Sequence, residues 1–171
     1  MERLPRSFFS NNVVEVACQL VGKILVFGSQ QGVILETEAY RGADDPASHA
    51  FKGATPRSRI MFGPPGVSYV YLIYGMYHCL NITTEPETFP SAVLIRGLYL
   101  LTPPSIQLKG PGKICQQLDI TTAHNGIDLT TASDFYVREG KQKMVKEIEA
   151  TPRIGIKVGQ EKLWRFIAKP S

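Results

Sequence analysis

Cysteine is scarce in this chain, with three thiols at positions 18, 79 and 115 of 171 residues. Their odd number and wide separation exclude a disulfide framework, and their spacing matches no zinc-binding motif. Few, unpaired cysteines are typical of proteins that work in a reducing compartment. The sequence therefore predicts a cytoplasmic setting.

Long hydrophobic runs are lacking as well. The longest ones, such as Ile24–Phe27, are far too short to span a bilayer. The first 12 residues carry charges but no apolar core, so we expect no signal peptide. Hydrophobic residues make up 43% of the chain and charged residues 20%, as in globular proteins. A chain of 171 residues is predicted to form one domain, residues 1–171.

Regular helical crossovers between strands are also missing. Ser10, Asn11 and Asn12 start a predicted helix whose apolar residues recur at helical spacing until Gly22. We predict strands at 23–28, 32–38, 68–74, 76–83, 92–100, 135–138, 153–158 and 163–168, and a short helix at 112–118. Strands joined by short turns favour an α+β fold. We expect one compact domain around a curved, mainly antiparallel β-sheet, with a protruding β-hairpin and a few peripheral helices.

Neither sign of charge dominates until the end of the chain. Residues 1–137 hold 10 basic and 11 acidic side chains, whereas residues 138–171 hold 9 basic and 4 acidic ones. This basic surplus has two interpretations, a solvated surface or a surface that contacts a phosphate backbone. Charge alone does not decide between them.

Polar and aromatic residues are concentrated in residues 36–81, which contain five of the seven tyrosines. Glu36 and Glu38 stand two apart on a predicted strand, so they share one face with Cα atoms roughly 6.6 Å apart. Three interpretations stay open: a solvent-facing edge, an acid–base pair as in inverting glycosidases, or one general base with a supporting neighbour. Tyr40 continues the same face, and His49 follows in a loop within reach of that strand.

The next predicted hairpin carries further candidates. Tyr69 and Tyr71 face one way on its first strand. Tyr74 stands at the hairpin tip, where packing against a core is difficult. Asn81 lies on the returning strand; because asparagine is uncommon inside strands, we expect its amide to have a hydrogen-bonding role.

Three cationic side chains stand where they could contact phosphate. Arg57 lies in the loop TPRSR, beside two hydroxyl residues and a second arginine. Arg96 interrupts an apolar strand, so it is either an edge residue or the partner of an anion. Lys113 follows a Gly-Pro-Gly turn at the start of a predicted helix, whose free N–H groups could also meet a phosphate.

Together these residues resemble the alkyladenine DNA glycosylases, also called 3-methyladenine or methylpurine DNA glycosylases. The resemblance spans nearly the whole chain, and the pairing of ETEAY with YGMY is its most specific part. The matching motifs are ETEAY at 36–40, His49, TPR at 55–57, MF at 61–62, PG at 65–66, the tyrosine-rich segment at 69–77, CLN at 79–81, the GP-K-CQ-L pattern at 110–118, RIGI at 153–156 and WRF at 164–166.

The resemblance implies roles for individual residues. Glu38 matches the glutamate that activates the attacking water, and Tyr40, His49 and Tyr71 match residues that contact the flipped base. Tyr74 matches the tyrosine that intercalates into the DNA and fills the gap left by the extruded nucleotide.

Two further residues are matched. Asn81 corresponds to a pocket asparagine that screens purines by their 2-amino group. Arg96 corresponds to an arginine near the backbone of the flipped nucleotide. We also expect Arg57 and Lys113 to contact or support the DNA backbone.

The implied reaction is hydrolysis of the bond between an alkylated or deaminated purine and its sugar in double-stranded DNA, which leaves an abasic site. It requires no metal or organic cofactor, and no lysine is placed as a nucleophile, so we expect a monofunctional enzyme. We expect a monomer without a membrane partner, located with the nucleoid in a prokaryote or in the nucleus of a eukaryote. The alternatives are an inactive protein that binds damaged DNA, and a carbohydrate-acting glycosidase that uses Glu36 with Glu38.

Overall fold

A curled antiparallel sheet organises the fold. The computed structural model describes residues 2–42, 44–73, 75–140 and 145–169. The strands in this part of the chain are β1 (Ile24–Phe27), β2 (Gln30–Arg41), β3 (Ser68–Ile73), β4 (Tyr77–Thr84), β5 (Ser91–Leu100), β6 (Gln107–Lys109), β7 (Phe135–Arg138), β8 (Ile148–Thr151) and β9 (Arg165–Ala168). The main path of the sheet is β3-β4-β5-β2-β1-β7, with β6 paired to β5 and with β9 joining β8 to β2. The predicted α+β class with a mainly antiparallel sheet is confirmed.

Helices cover the sheet at a few places. They are α1 (Arg6–Phe9), α2 (Val13–Leu20) and α3 (Pro111–Leu118), with short 3₁₀ turns at Ser58–Phe62 and Thr122–His124. As predicted, α2 begins at Asn12, whose side chain accepts a hydrogen bond from the N–H of Val14 at 2.8 Å. The Thr37 hydroxyl on β2 donates to the Ala17 carbonyl of α2 at 2.7 Å, which ties the helix to the central strand. Within the described ranges, no helix is both long and apolar enough to cross a membrane.

Both predicted hairpins are present. β1 pairs with β2 as expected, but β2 continues to Arg41, so that Tyr40 belongs to the central strand. β3 and β4 form the second hairpin at one end of the sheet, and Gly75–Tyr77 at its tip are exposed. Tyr74, the predicted intercalating residue, lies outside the described residues.

The predicted strand at 153–158 is wrong. This segment is an irregular loop, and the strand lies just before it at β8. Pro152 has no N–H to donate to a ladder, and Gly155 and Gly159 have φ angles of +73°. Residues 154–158 all line a cavity, so the apolar alternation of the segment does not mark the two faces of a strand.

The pairing of β2 with β5 contains two irregularities that redirect side chains of both strands. Ile34 pairs with Leu98, Glu36 with Gly97 and Thr37 with Ile95, so Leu35 and Arg96 have no directly opposite partner. Such bulges bend strands and redirect side chains. Gly97 is required at this point, because a Cβ there would lie 2.8 Å from the Cβ of Glu36.

Candidate active site

The inner face of the curled sheet opens into a cavity of about 950 Å³. Strands β2 to β5 form one side, the start of α3 forms another, and loop residues 154–158 complete the wall. A volume of this size lies within the range of small-molecule sites, about 300–1,000 Å³. The lining includes six of the residues predicted from the sequence: Tyr40, His49, Tyr71, Asn81, Arg96 and Lys113.

Aromatic rings form one wall. Tyr69 is buried, and its hydroxyl lies 2.9 Å from Nδ1 of His49. The rings of His49 and Tyr71 meet edge to face, with centroids 4.6 Å apart. Strand alternation predicted that Tyr69 and Tyr71 share a face, and both line the cavity. The wall therefore offers ring surfaces on which a planar base could stack.

Electrostatics keep this wall mostly uncharged. Desolvation by its surroundings lowers the pKa of His49, and the nearby Arg57 lowers it further, so the imidazole is neutral at neutral pH. Burial raises the pKa of Tyr69 to about 12. The guanidinium carbon of Arg57 lies 5.6 Å from the centroid of the Tyr71 ring, on the outer side of the wall. Arg57 thus supports Tyr71 without lining the cavity.

Glu38 is completely buried and does not line the cavity itself. Its Oε1 accepts a hydrogen bond from the Tyr40 hydroxyl at 2.8 Å, and its Oε2 accepts one from the N–H of Ile154 at 2.6 Å. Nη1 of Arg96 stands 3.8 Å from Oε1. Tyr40, Arg96 and Ile154 all line the cavity, so the carboxylate is one side chain away from it.

The surroundings of Glu38 act on its pKa in opposite directions. Burial is the largest influence and raises the pKa above the ordinary value of 4.5. The N–H of Ile154, the charge of Arg96, the Tyr40 hydroxyl and the charge of Arg165 all lower it, and burial prevails. A carboxylate whose pKa is raised by burial accepts a proton more readily than an exposed one.

Glu36 has a different environment. Its Oε2 lies 2.6 Å from Nε of Arg165 and 3.4 Å from Nε of Arg96. Two guanidinium groups thus hold Glu36 outside the cavity lining. Of the three interpretations of the glutamate pair, this arrangement favours one general base with a supporting neighbour.

The floor of the cavity combines one amide with apolar groups. Asn81 is 3% exposed, and its Nδ2 donates to the Tyr69 carbonyl at 3.1 Å, so the amide is fixed in orientation. Met61, Cys79 and Leu94 lie around it. Burial raises the pKa of Cys79 to about 11, so its thiol is protonated. Sequence reasoning missed these three residues because ordinary core side chains carry no chemical signal.

The start of α3 borders the cavity mouth. Lys113 and the Gly-Pro-Gly turn before it line the cavity. Tyr77 packs onto Gly112, where a Cβ would lie 2.9 Å from Cδ1 of the ring. Among the residues that the structure describes, no three His, Cys, Asp or Glu side chains are grouped so that they could hold a metal ion.

Residues 7–171 match the sequence model of a family described as methylpurine-DNA glycosylase (MPG). The chain belongs to this family. Its relatives include proteins named "Putative 3-methyladenine DNA glycosylase" in Sodalis glossinidius and in the Wolbachia strain of Brugia malayi. They are 57% and 54% identical to it over 95% and 96% of both chains. A relative of the same name in Rickettsia felis is 49% identical over 96% of this chain and 92% of its own length.

Membership of the methylpurine-DNA glycosylase family confirms the resemblance found in the sequence. It assigns the chain to the DNA glycosylases, hydrolases that act in base-excision repair, and DNA is the expected substrate. The family match extends across the cavity, Glu38 and the loop at 153–158.

Proposed function

We propose that this methylpurine-DNA glycosylase rotates an alkylated or deaminated purine out of double-stranded DNA and hydrolyses its N-glycosidic bond with water activated by Glu38. The observation that carries the proposal is a buried carboxylate held by three residues that line a cavity with one aromatic wall, large enough to take a flipped purine nucleotide. Residues 1–171 act as a single glycosylase domain, and the protein works as a monomer.

The cavity suits a flipped purine. Rotating a nucleotide out of a duplex costs a few kcal/mol, and damaged bases cost least because they pair and stack poorly. Tyr40, His49 and Tyr71 offer π faces to the base. A purine alkylated at N3 or N7 carries positive charge, and for such a base cation–π attraction adds about 0.5–2 kcal/mol. A neutral His49 does not repel such a base. The fixed Asn81 amide contacts the edge of the base where guanine has its 2-amino group, and so discriminates between purines.

Glu38 supplies the chemistry. Departure of the base builds positive charge on the sugar, which the carboxylate stabilises while it accepts a proton from water. The hydrogen bonds from Tyr40 and Ile154 hold both carboxylate oxygens, and a small displacement of Tyr40 brings water to Oε1. The cation next to Glu38 is Arg96 and not a lysine. This favours a monofunctional enzyme without an amine nucleophile.

Cationic residues around the mouth bind the DNA backbone. Lys113 lines the opening, Arg57 stands behind Tyr71, and Arg96 reaches the flipped nucleotide. Lys157, which was not predicted, lines the opposite wall. Phosphate contacts of this kind fix the position of the duplex without reading its sequence.

The experiment that tests this function compares duplexes that differ at one base. Single-turnover release is measured for 7-methylguanine, hypoxanthine, ethenoadenine and the matching unmodified purine. Release of modified purines alone supports the proposal. Cleavage of oligosaccharides in place of duplexes would support the glycosidase, and tight binding to damaged duplex without release would support the inactive binder.

The pH dependence of excision reports on Glu38. Because burial raises its pKa, we expect the acidic limb of kcat/KM to have its midpoint above pH 4.5. In Tyr40→Phe the ring remains but the hydroxyl that lowers this pKa is lost, so the limb should move to higher pH. A limb at or below pH 4.5, or one that stays in place in Tyr40→Phe, would contradict the role of Glu38.

Tyr74 is proposed to intercalate into the duplex. Tyr74→Ala should weaken binding to damaged duplex and slow base flipping, because no side chain then occupies the vacated stack. Stopped-flow fluorescence of a reporter base beside the lesion measures flipping. Tyr99→Ala is the control, because Tyr99 is an exposed tyrosine of β5 outside the cavity lining. Equal effects of the two substitutions would contradict intercalation.

A further inference from the structure

Arg153 and Asp45 form a buried ion pair next to the cavity. Both side chains are fully buried. Nη1 and Nη2 of Arg153 donate to Oδ2 and Oδ1 of Asp45 at 2.6 and 2.8 Å, a bidentate geometry. A buried ion pair is weak support for stability, because apolar pairs often serve as well. Its contacts point to a different use.

Arg153 is linked to both hydrogen-bond donors of Glu38, to one through its guanidinium and to the other through the chain. Nη1 also donates to the carbonyl of Ala39, the residue between Glu38 and Tyr40, at 2.9 Å. The guanidinium carbon lies 4.8 Å from the centroid of the Tyr40 ring, whose hydroxyl binds Oε1 of Glu38. The next residue in the chain is Ile154, whose N–H binds Oε2. One side chain therefore contacts one hydrogen-bond donor of Glu38 and fixes the backbone of the other.

Asp45 anchors this side chain to the rest of the site. Its carboxylate accepts the N–H groups of Arg41 at 3.0 Å and Ala47 at 3.1 Å. Nη2 of Arg153 also donates to the Gly159 carbonyl at 3.2 Å. The end of β2, the turn after it and the loop at 153–159 are thus joined through a single ion pair.

We propose that Arg153, fixed by Asp45, is a positioning residue that holds the loop at 153–159 and Tyr40 so that Glu38 can activate water. The inference rests on the proposed function of Glu38. Arg153 does not line the cavity and acts through Ile154 and Tyr40.

The test uses the full-length protein with Asp45→Asn and Arg153→Lys. Asparagine keeps the shape of Asp45 without its charge, and lysine keeps the charge of Arg153 without the bidentate fork. Single-turnover excision across pH, affinity for a duplex with a stable abasic analogue, and thermal unfolding are measured together. We expect excision to slow by about 10- to 100-fold with affinity unchanged. The acidic limb should move to higher pH because the two hydrogen bonds to Glu38 weaken.

Two further variants keep the test decisive. Asp128→Asn is the control, because it breaks the ion pair of Asp128 with Arg6, which lies outside the cavity lining. Gly159→Ala leaves both charges of the buried pair in place, but its φ of +73° strains an alanine and its Cβ would lie 2.8 Å from Nη2 of Arg153, so the loop and the guanidinium are displaced together. If Asp45→Asn and Arg153→Lys do not fold, Gly159→Ala replaces them in the test. We expect it to slow excision and to move the acidic limb in the same way.

The outcomes separate this proposal from the proposed function. The contrary result is that the folded variants differ from the wild type only in a lower melting temperature, with the same excision rate and the same acidic limb. That result would overturn the positioning role. The proposed function would still stand if Glu38→Gln is inactive in the same assay. If Glu38→Gln is active, both the proposed function and the positioning role of Arg153 would be contradicted.

Discussion

Glu38→Gln is expected to slow single-turnover excision by about 100- to 10,000-fold. Glutamine keeps the shape of the side chain and can still accept the N–H of Ile154, but it cannot take a proton from water. Because Glu38 does not line the cavity itself, affinity for damaged duplex should remain close to that of the wild type. Excision and equilibrium binding are measured on the same lesion-containing duplex.

The chain offers a matched control in Glu36→Gln. Glu36 stands on the same strand and also contacts Arg96, but two arginines hold it outside the cavity lining. We expect its loss to slow excision far less than the loss of Glu38. If Glu36→Gln and Glu38→Gln slow excision equally, the result would favour a glycosidase-like acid–base pair. Lost binding in Glu38→Gln would point to a structural role for the carboxylate.

Arg96→Met is expected to slow excision at neutral pH by about 10- to 100-fold. The Arg96 charge lowers the pKa of Glu38 against the effect of burial. Without it, the pKa of Glu38 rises, less carboxylate is ionised, and the acidic limb of kcat/KM moves to higher pH. Part of the lost rate should therefore return as the pH is raised.

Arg165→Met is the control for Arg96. Arg165 binds Glu36 at 2.6 Å, but among the groups that lower the pKa of Glu38 it has the smallest influence. The limb should therefore move less than in Arg96→Met. If Arg96→Met slows excision by the same factor at every pH, the result would instead assign Arg96 to DNA binding.

Strand alternation and turn chemistry made much of the site predictable. The polar run in β2 and the tyrosines of β3 placed Tyr40, Tyr69 and Tyr71 on the cavity side, because successive strand residues face opposite ways. The Gly-Pro-Gly turn correctly placed Lys113 at the start of a helix. These features depend on residues that are close together in the sequence, so they can be recognised from one sequence alone.

The remaining features depend on contacts between distant residues. Arg153 and Asp45 are 108 positions apart, and only the fold shows that they are paired. Ile154 acts through a backbone N–H, which every residue except proline has, so its side chain gives no signal. The bulge that brings Arg96 to the glutamates depends on how β2 pairs with β5, two strands that are distant in the sequence. The strand predicted at 153–158 failed because Pro152 cannot donate to a ladder and Gly155 and Gly159 have positive φ angles.

The most direct test of the central claim is a product analysis of wild-type protein with one alkylated duplex. Free methylated purine and abasic sites are counted in the same reaction, the DNA strand is examined for breaks, and borohydride is added to trap any covalent complex. The account predicts base and abasic sites in equal amounts, an unbroken strand and no trapped complex. Tight binding without released base, or a broken strand with a trapped complex, would contradict it.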